Sequence, residues 1–276
     1  MGVLEGKVAF VTGAARGQGR SHAIRLAEEG ADIITIDLCA QPETVSVPGS
    51  TKEDLEETVR QVEALDRRIV AEVGDIRDLG RMTEVVEKGI AEFGRLDIVL
   101  GNAAIWSVGE TEPETPEERY AVWRETVDVN LTGQWVVIEA TAPKLIEQGE
   151  GGAIVLTSST AGLKSMSIDS LGQTAYTAAK HGVIGLMRNY AVELAKYSIR
   201  VNCVAPTSVE TPMIQNPVTE RYLEQHPELG DLMANLLPVP AVEPRDISNG
   251  ILYLVSDAGR YVTGTTLPVD AGFLVK

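Results

Sequence analysis

Apolar and polar residues alternate along the chain in two different rhythms. Short continuous runs rich in β-branched residues recur, and longer stretches with apolar residues at helical spacing separate them. Continuous apolar runs are typical of strands buried on both faces of a sheet, and strands that alternate with helices form parallel sheets. We therefore predict an α/β fold with a doubly wound parallel sheet of seven strands and helices on both faces. The predicted strands are residues 7–12, 32–37, 68–73, 96–103, 152–158, 200–205 and 266–269.

Two segments interrupt this rhythm. Residues 38–49 separate the second strand from a helix whose start is predicted by a capping box from Ser50 to Glu53. Residues 207–240 are rich in proline. Long irregular segments are usually functional, so we predict an inserted loop at 38–49 and a substrate lid at 207–240 within a single domain of residues 1–276. The expected apolar underside of the lid consists of Met213, Leu223, Leu232, Met233, Leu236 and Leu237.

The charge of the chain excludes several classes of partner. Lys and Arg number 24 against 40 Asp and Glu, so the formal net charge is −16 at pH 7. Such a surface repels nucleic-acid phosphates and anionic membranes, and we expect neither as a partner. The chain has no signal-peptide pattern or long apolar stretch, and we expect it to be cytoplasmic. Cys39 and Cys203 lie in no metal-ligand spacing, so we expect no metal site.

A glycine-rich turn follows the first strand. Residues 12–19 are Thr-Gly-Ala-Ala-Arg-Gly-Gln-Gly, and a helix is predicted from there to residue 29. Glycines at a strand–turn–helix junction let a pyrophosphate approach the backbone, and the helix N-terminus attracts its charge. A plain tight turn is the alternative. The residues predicted to bind a dinucleotide here are Gly13, Arg16, Gly17, Gln18 and Gly19.

Asp37 ends the second strand and indicates which dinucleotide binds. A carboxylate at this position can bind the ribose hydroxyls of NAD and repel the 2′-phosphate of NADP, so we predict NAD, with Leu38 beside it in the cofactor site. Arg16 lies where a cation could bind that phosphate. It could equally cover the adenine or face solvent.

Further candidate cofactor residues follow the third and fourth strands. Asp75 and Ile76 are expected to bracket the adenine, and Asn102 and Ala103 lie at the carboxyl edge where open α/β sheets bind ligands. A turn residue without cofactor contact is an equal alternative for Asn102.

Tyr176 and Lys180 form the candidate catalytic pair. They are four residues apart on one face of a predicted helix, so the ammonium can lower the phenol pKa and also reach a cofactor ribose. Tyrosine needs this help to act as a base near neutral pH. Ser159, after the fifth strand, is predicted to bind the reacting oxygen, with Ser158 as the second candidate. An N-cap or turn role is the alternative for either serine. Asn130, inside a predicted helix, is expected to hold a water beside Lys180 in a proton relay.

These motifs, in chain order, resemble the short-chain dehydrogenase/reductase family over essentially the whole chain. The resemblance implies a Rossmann-like fold and an NAD-dependent alcohol dehydrogenase or ketone reductase. It implies that Tyr176 is the general acid/base, that Ser159 binds the reacting oxygen and that Lys180 binds ribose. The interval from Ser159 to Tyr176 is longer than in the family, and we place the extra residues at 164–171. The resemblance adds Pro206, Val209 and Thr211 to the cofactor site.

More narrowly, the chain resembles the mycofactocin-associated branch, typified by carveol dehydrogenases. Residues 17–22, the inserted loop and Pro206-Thr207 carry this resemblance. It implies a small hydrophobic alcohol or ketone as substrate, a tightly held cofactor and a separate electron acceptor, and the family resemblance implies a homotetramer. Trp106 and Met213 adjoin cofactor motifs and are expected to line an apolar substrate pocket.

Two alternatives from other classes share parts of this pattern. A 3-oxoacyl carrier-protein reductase would present a basic patch to its acidic carrier, which the charge of −16 disfavours. A non-enzymatic NAD-sensing regulator would keep the glycines and Asp37, but it would have no need of the four candidate catalytic residues.

Overall fold

A computed structural model describes residues 2–108, 112–165 and 170–276. Seven parallel strands form one sheet in the order β3-β2-β1-β4-β5-β6-β7, which confirms the predicted fold class. The order reverses between β1 and β4, and the crevice at such a switch point is where open α/β sheets bind ligands. The strands are β1 (Val8–Thr12), β2 (Asp32–Asp37), β3 (Ile69–Val73), β4 (Ile98–Gly101), β5 (Gly152–Thr157), β6 (Ile199–Pro206) and β7 (Thr266–Val269).

Helices cover both faces of the sheet. On one face lie α1 (Gly17–Glu28), α2 (Lys52–Glu63) and α9 (Pro244–Val255). On the other lie α3 (Leu79–Phe93), α5 (Gly133–Gln148) and α6 (Leu171–Leu194), with α4 (Pro116–Val127) beside α6. Two short helices, α7 (Pro217–Gln225) and α8 (Glu228–Met233), lie in the segment predicted as a lid.

The continuous apolar runs are explained by the two cores that flank the sheet. Ala9 and Phe10 are neighbours in β1 and both are fully buried, yet Ala9 packs with α1 and α9 whereas Phe10 packs with α3 and α5. Successive strand side chains point to opposite faces, so a strand covered on both sides needs apolar residues at every position. Burying each large apolar side chain stabilises the fold by about 1.5–3 kcal/mol.

Helix α2 begins one residue later than its predicted capping box. Thr51 is the N-cap: its hydroxyl accepts a hydrogen bond from the backbone N–H of Asp54 (3.1 Å), whose carboxylate accepts one from the N–H of Thr51 (2.9 Å). Ser50, the predicted cap, instead donates its hydroxyl to the carboxylate of Asp37 (2.6 Å). The polar group at the end of β2 therefore moves the helix start by one residue.

The lid segment buries only part of its predicted apolar underside. Met213, Leu223 and Met233 pack in a cluster with Trp106 and Tyr222. The prediction was wrong for the other three leucines, because Leu232, Leu236 and Leu237 are 38%, 59% and 58% exposed. Helix α8 ends at Met233, and the chain beyond it follows the surface.

Candidate active site

The glycine turn after β1 is shaped to receive a large anionic group. Gly13 has a φ of +71°, and a Cβ there would lie 2.8 Å from the Cα of Ala103. A Cβ on Gly19 would lie 2.1 Å from the carbonyl oxygen of Gly13. Helix α1 begins behind this turn, and its N-cap residue, Arg16, makes no capping hydrogen bond from its side chain. The exposed backbone and the uncapped helix N-terminus fit a dinucleotide pyrophosphate.

Gln18 adds a second polar feature to this turn. Its Oε1 atom is buried and has no hydrogen-bond partner within the described part of the chain. A buried acceptor without a partner is costly, and a bound ligand that donates to it would relieve that cost.

Asn102 fastens the end of β4 to this turn. Its side-chain amide donates to the carbonyl oxygen of Thr12 (3.0 Å), and the backbone N–H groups of Asn102 and Ala103 both donate to the Thr12 hydroxyl (3.0 and 3.2 Å). These contacts give Asn102 a structural role in fixing the switch-point crevice. The predicted adenine bracket, Asp75 and Ile76, lines the same crevice from the end of β3.

Asp37 lies buried at the carboxyl end of β2, where it is held by three donors. One carboxylate oxygen accepts from the backbone N–H of Ala15 (2.9 Å), and the other accepts from the N–H of Cys39 (3.1 Å) and from Ser50. Arg16 lines the cavity and is partly exposed. Its guanidinium donates to the carbonyl oxygen of Pro48, so it links the glycine turn to the inserted loop.

The inserted loop crosses the cavity and is anchored on its far side by Glu125 of α4. One oxygen of this carboxylate accepts from the backbone N–H of Glu43 (3.0 Å), and the other accepts from the N–H and the hydroxyl of Thr44 (2.7 Å each). Glu125 is only 8% exposed, which strengthens such charge-assisted bonds. The loop residues that line the cavity are Leu38, Ala40, Pro42, Val45, Val47, Pro48 and Gly49.

The two serines after β5 have different surroundings. Ser158 is buried, and its hydroxyl donates to the backbone carbonyl of Lys180 (2.9 Å), so it holds α6 in place. The hydroxyl of Ser159 accepts from the backbone N–H of Ala161 (3.1 Å) as the N-cap of the short turn Thr160–Gly162, and it lies close enough to Tyr176 to affect the pKa of the phenol. This arrangement favours Ser159 over Ser158 as the group that meets the reacting oxygen. The extra residues predicted at 164–171 fall partly on residues 166–169, which lie outside the described residues.

Burial dominates the acid–base properties of Tyr176 and Lys180. Withdrawal from water raises the pKa of Tyr176 to about 12, although the hydrogen bond with Ser159 acts in the opposite direction. The same withdrawal lowers the pKa of Lys180 to about 8. The expected lowering of the phenol pKa by the ammonium is therefore not found in this state of the protein. Lys180 instead donates its Nζ proton to the carbonyl oxygen of Thr157 (2.8 Å).

Asn130 lies behind the cavity and does not line it. It occupies a wide helical turn, Asp128–Thr132, between α4 and α5, and it is fully buried. Its side-chain oxygen accepts from the N–H of Ile105 (2.8 Å), and its amide donates to the carbonyl oxygen of the same residue (2.7 Å). These two bonds position the segment after β4. The role of Asn130 in holding a water beside Lys180 stays a prediction.

The end of the cavity around Tyr176 is apolar. Trp106 is nearly buried and donates its indole N–H to Gln173 (2.9 Å). Gln173 was missed by the sequence analysis, although it precedes Tyr176 by three residues and so shares its helix face. Other apolar residues that line this end are Met213, Ile214, Met233 and Phe273.

One continuous cavity gathers nearly all of the predicted site residues. It runs from Asp37 at one end to Trp106 and Met213 at the other, with Tyr176 and Lys180 between them. Asn130 is the one predicted residue outside its lining. The predicted residues in the lining are Gly13, Arg16, Gly17, Gln18, Gly19, Asp37, Leu38, Asp75, Ile76, Asn102, Ala103, Trp106, Ser159, Tyr176, Lys180, Pro206, Val209, Thr211 and Met213.

Residues 2–108, 112–165 and 170–276 contain no group of three or more His, Cys, Asp or Glu side chains placed to hold a metal ion. The helices in these ranges are all too short or too polar to cross a membrane.

A sheet with a glycine turn at its switch point, and a tyrosine–lysine pair facing that turn, defines a class of nucleotide-dependent oxidoreductases. Residues 13–274 match the family model described as enoyl-(acyl carrier protein) reductase. The chain belongs to the short-chain dehydrogenase/reductase family, as its motifs predicted.

Three relatives place the chain more closely within that family. It is 45% identical to (−)-trans-carveol dehydrogenase of Rhodococcus erythropolis, with 100% of each chain covered. It superimposes on carveol dehydrogenase from Mycobacterium avium in complex with NAD at a TM-score of 0.92 and 47% identity, again over 100% of each chain. A short-chain dehydrogenase from Mycobacterium paratuberculosis bound to NAD gives a TM-score of 0.90 at 45% identity and the same coverage.

Proposed function

We propose that the protein is an NAD-dependent dehydrogenase that interconverts a small hydrophobic secondary alcohol and its ketone. One observation carries the proposal: a single cavity joins Asp37 and the glycine turn to Tyr176 and an apolar end. The first part fits a dinucleotide, and the second fits an uncharged substrate without polar recognition groups. Relatives named for carveol oxidation and solved with NAD support both halves of the proposal.

Bound NAD would supply the hydride acceptor, and the side chains of this chain would handle the proton. In alcohol oxidation, the phenol oxygen of Tyr176 takes the hydroxyl proton, and Ser159 hydrogen-bonds the same substrate oxygen. Lys180 lies beside the tyrosine ring with its Nζ 5.4 Å from the ring centre. A positive charge near the phenol lowers its pKa, so the cationic nicotinamide of bound NAD, together with Lys180, would offset the effect of burial and favour the base form of Tyr176. Asn130 acts indirectly by holding Ile105.

Asp37 is proposed to select NAD over NADP. Its carboxylate is fixed by the N–H groups of Ala15 and Cys39, so it cannot turn away from an incoming 2′-phosphate without losing those bonds. Arg16, the one candidate cation for that phosphate in the glycine turn, is already bonded to Pro48. Both observations favour the cofactor without the phosphate.

A direct assay tests the proposed reaction. The protein is incubated with NAD and either carveol or cyclohexanol, and the ketone product is identified by mass spectrometry. We expect ketone with the wild type and far less ketone in the same time with Tyr176→Phe. If neither alcohol gives ketone, whether NAD or NADP is supplied, the proposal is overturned. Binding of NAD without turnover would instead favour a regulator that senses the cofactor.

The inserted loop supports a further part of the proposal, that NAD is held through many turnovers and reoxidised by a separate electron acceptor. The loop is fastened on both sides of the cavity, to Arg16 and to Glu125. A cofactor beneath it leaves only after those contacts break, which lowers the off-rate. The resemblance to the mycofactocin-associated branch points to the same behaviour.

A dye assay tests this captive state. Protein purified without added cofactor is denatured, and the released small molecules are weighed. Turnover of alcohol is then followed with a dye acceptor, with and without free NAD. Bound nicotinamide together with turnover by dye alone would support a captive cofactor. A cofactor-free protein that turns over only with added NAD would contradict it.

We also propose that the enzyme acts in the cytoplasm and that it is a homotetramer. Residues 207–240 are proposed to form a lid over the substrate. Cys39 and Cys203 are free thiols, which suits a reducing compartment. Trp123 of α4 and Trp135 of α5 are 38% and 40% exposed, as expected of aromatic residues that contact a second copy. Light scattering that gives the mass of one 29.6 kDa chain at micromolar concentration would contradict the tetramer.

A further inference from the structure

Phe273 lines the cavity, although it lies almost a hundred residues after Tyr176 in the chain. It begins a short helical turn, Phe273–Val275, that follows β7. Its side chain is only 3% exposed and lines the same cavity as Tyr176, Met213 and Met233. The proposed function gives it no task.

The backbone around Phe273 is tightly specified. The two carboxylate oxygens of Asp270 accept hydrogen bonds from the N–H groups of Gly272 (3.0 Å) and Leu274 (2.9 Å). Gly272 has a φ of +80°, and a Cβ there would lie 2.8 Å from the Cβ of Leu236. Only glycine fits this turn without strain, so the direction of the next side chain, Phe273, is fixed.

The same turn is attached to the lid. The carbonyl oxygen of Ala271 accepts from the N–H groups of Leu236 and Leu237 (3.1 and 2.9 Å), just after α8. The Nζ of Lys276 donates to the carbonyl oxygen of Asp231 in α8 (2.8 Å). The turn and the end of the lid therefore move together.

On its other side, Phe273 meets the loop that follows Ser159. The Nζ of Lys164 lies 5.2 Å from the centre of the Phe273 ring, which is a cation–π distance. The backbone N–H of Lys164 is bonded to Thr160 (2.9 Å), the residue after Ser159. The ring is thus held between the lid and the segment that carries the proposed oxygen-binding hydroxyl.

We propose that Phe273 determines substrate size by forming the end wall of the alcohol pocket, and that Lys164 is a positioning residue that holds its ring. The inference rests on the proposed function, because it takes the apolar end of the cavity to be the substrate site. A rigid aromatic wall limits the length of a cyclic alcohol measured away from its hydroxyl carbon. Shortening the side chain at 273 therefore admits a bulkier ring substituent.

Ligand binding provides a test that does not depend on turnover. Calorimetry with the NAD-loaded protein compares cyclohexanone with 4-tert-butylcyclohexanone, and kinetics compare the two matching alcohols. We expect Phe273→Ala to shift the affinity ratio and the kcat/KM ratio towards the bulky compound by about tenfold or more, since a few methyl groups in an apolar pocket discriminate to that degree. Phe273→Leu should shift both ratios less. Val275→Ala, in the same turn but 79% exposed, serves as the control and should shift neither.

A second pair of variants tests the positioning residue. Lys164→Gln should shift the same ratios towards the bulky compound by a smaller factor, and Lys164→Arg should restore the wild-type ratios because it keeps a cation over the ring. A purely structural role would alter stability without altering this ratio.

The outcomes separate the two proposals. If the ketones bind with the expected shift but no alcohol is oxidised, the proposed reaction fails and the role of Phe273 stands. If alcohols are oxidised while Phe273→Ala leaves both ratios within about twofold of the wild type, the role of Phe273 is overturned and the proposed reaction stands. If neither ketone binds to the wild type or to any variant, the role of Phe273 is also overturned.

Discussion

The Nζ of Lys180 lies 5.4 Å from the centre of the Tyr176 ring and donates a hydrogen bond to the carbonyl oxygen of Thr157. Lys180 is fully buried and Tyr176 is partly buried, and this desolvation raises the pKa of Tyr176 to about 12 and lowers that of Lys180 to about 8. Burial thus favours the neutral form of each group. A bound positive charge is needed before the phenol becomes an effective base, which couples proton removal to cofactor binding.

Replacing Tyr176 with phenylalanine removes the proton acceptor and keeps the ring. We expect kcat for alcohol oxidation to fall by about 100- to 10,000-fold, the usual contribution of a general acid or base. The affinity for NAD should stay within about twofold of the wild type, because the ring still packs. Steady-state kinetics and calorimetry check the two values. Turnover within about threefold of the wild type would remove Tyr176 from the mechanism.

Replacing Lys180 with methionine should change how stability depends on pH. The pKa of Lys180 is about 8 in the folded protein against 10.5 for the ordinary side chain. Between these values the unfolded chain holds more protons, so wild-type stability rises with pH across this window, by up to about 3 kcal/mol. The raised pKa of Tyr176 affects stability only at higher pH. Its contribution to the free energy of unfolding is lost as the pH rises from 10 towards 12.

Urea unfolding of the cofactor-free proteins checks this pH dependence. The measured quantity is the free energy of unfolding of Lys180→Met minus that of the wild type. This difference should be largest below about pH 8 and should decrease as the pH rises towards about 10. A difference that stays constant across this range would show that Lys180 keeps its ordinary pKa in the folded protein.

The elements that build the site could be predicted because their signals are local. The runs that form β1 and β2 are apolar at successive positions, and the glycine turn and the Tyr176–Lys180 spacing depend only on neighbours in sequence. Trp106 and Met213 were predicted from their proximity to those motifs, and both line the cavity. Strand ends differ from the predictions by at most two residues.

Residues defined by contacts between distant segments could not be predicted in this way. Glu125 is one of three glutamates in α4, and only the fold brings the inserted loop to it. Phe273 lies beyond every motif. The bonds of Asn130 to Ile105 could not be predicted either, because they join residues that are 25 positions apart.

Replacing Asp37 with alanine should weaken NAD binding and relieve the repulsion of NADP. We expect the NAD to NADP preference in kcat/KM to fall by about tenfold or more, the effect of losing one charge-assisted contact and one like-charge repulsion. Ser50→Ala is the matched control, since it removes the bond between the loop and Asp37 but keeps the carboxylate. The control should preserve the preference. Equal rejection of NADP by Asp37→Ala would assign selectivity to another residue.

Replacing Glu125 with glutamine should release the cofactor faster. An amide keeps one acceptor oxygen, but its NH₂ group cannot accept from the N–H groups that the loop presents. We expect the off-rate of reduced nicotinamide to rise by about tenfold, which corresponds to one lost hydrogen bond to a charged group. Glu117→Gln, on the exposed face of α4, carries the same charge change and should leave the off-rate unaltered. Stopped-flow displacement of the fluorescent reduced cofactor by excess NAD measures the off-rate from each variant. Equal off-rates from Glu125→Gln and Glu117→Gln would show that Glu125 does not retain the cofactor by holding the inserted loop.

The neighbouring hydroxyls of Ser158 and Ser159 serve opposite sides of the same chain segment. Ser159 has extended backbone angles, so the alternation of β5 continues through both residues. Ser158 consequently bonds the backbone of α6, and Ser159 lines the cavity beside Tyr176. A single deletion or insertion within β5 would exchange the two orientations, leaving the helix unbraced and the cavity without its hydroxyl. The number of residues from the pairing of this strand with β4 to Ser159 therefore tolerates less change than the identity of an apolar residue within the strand.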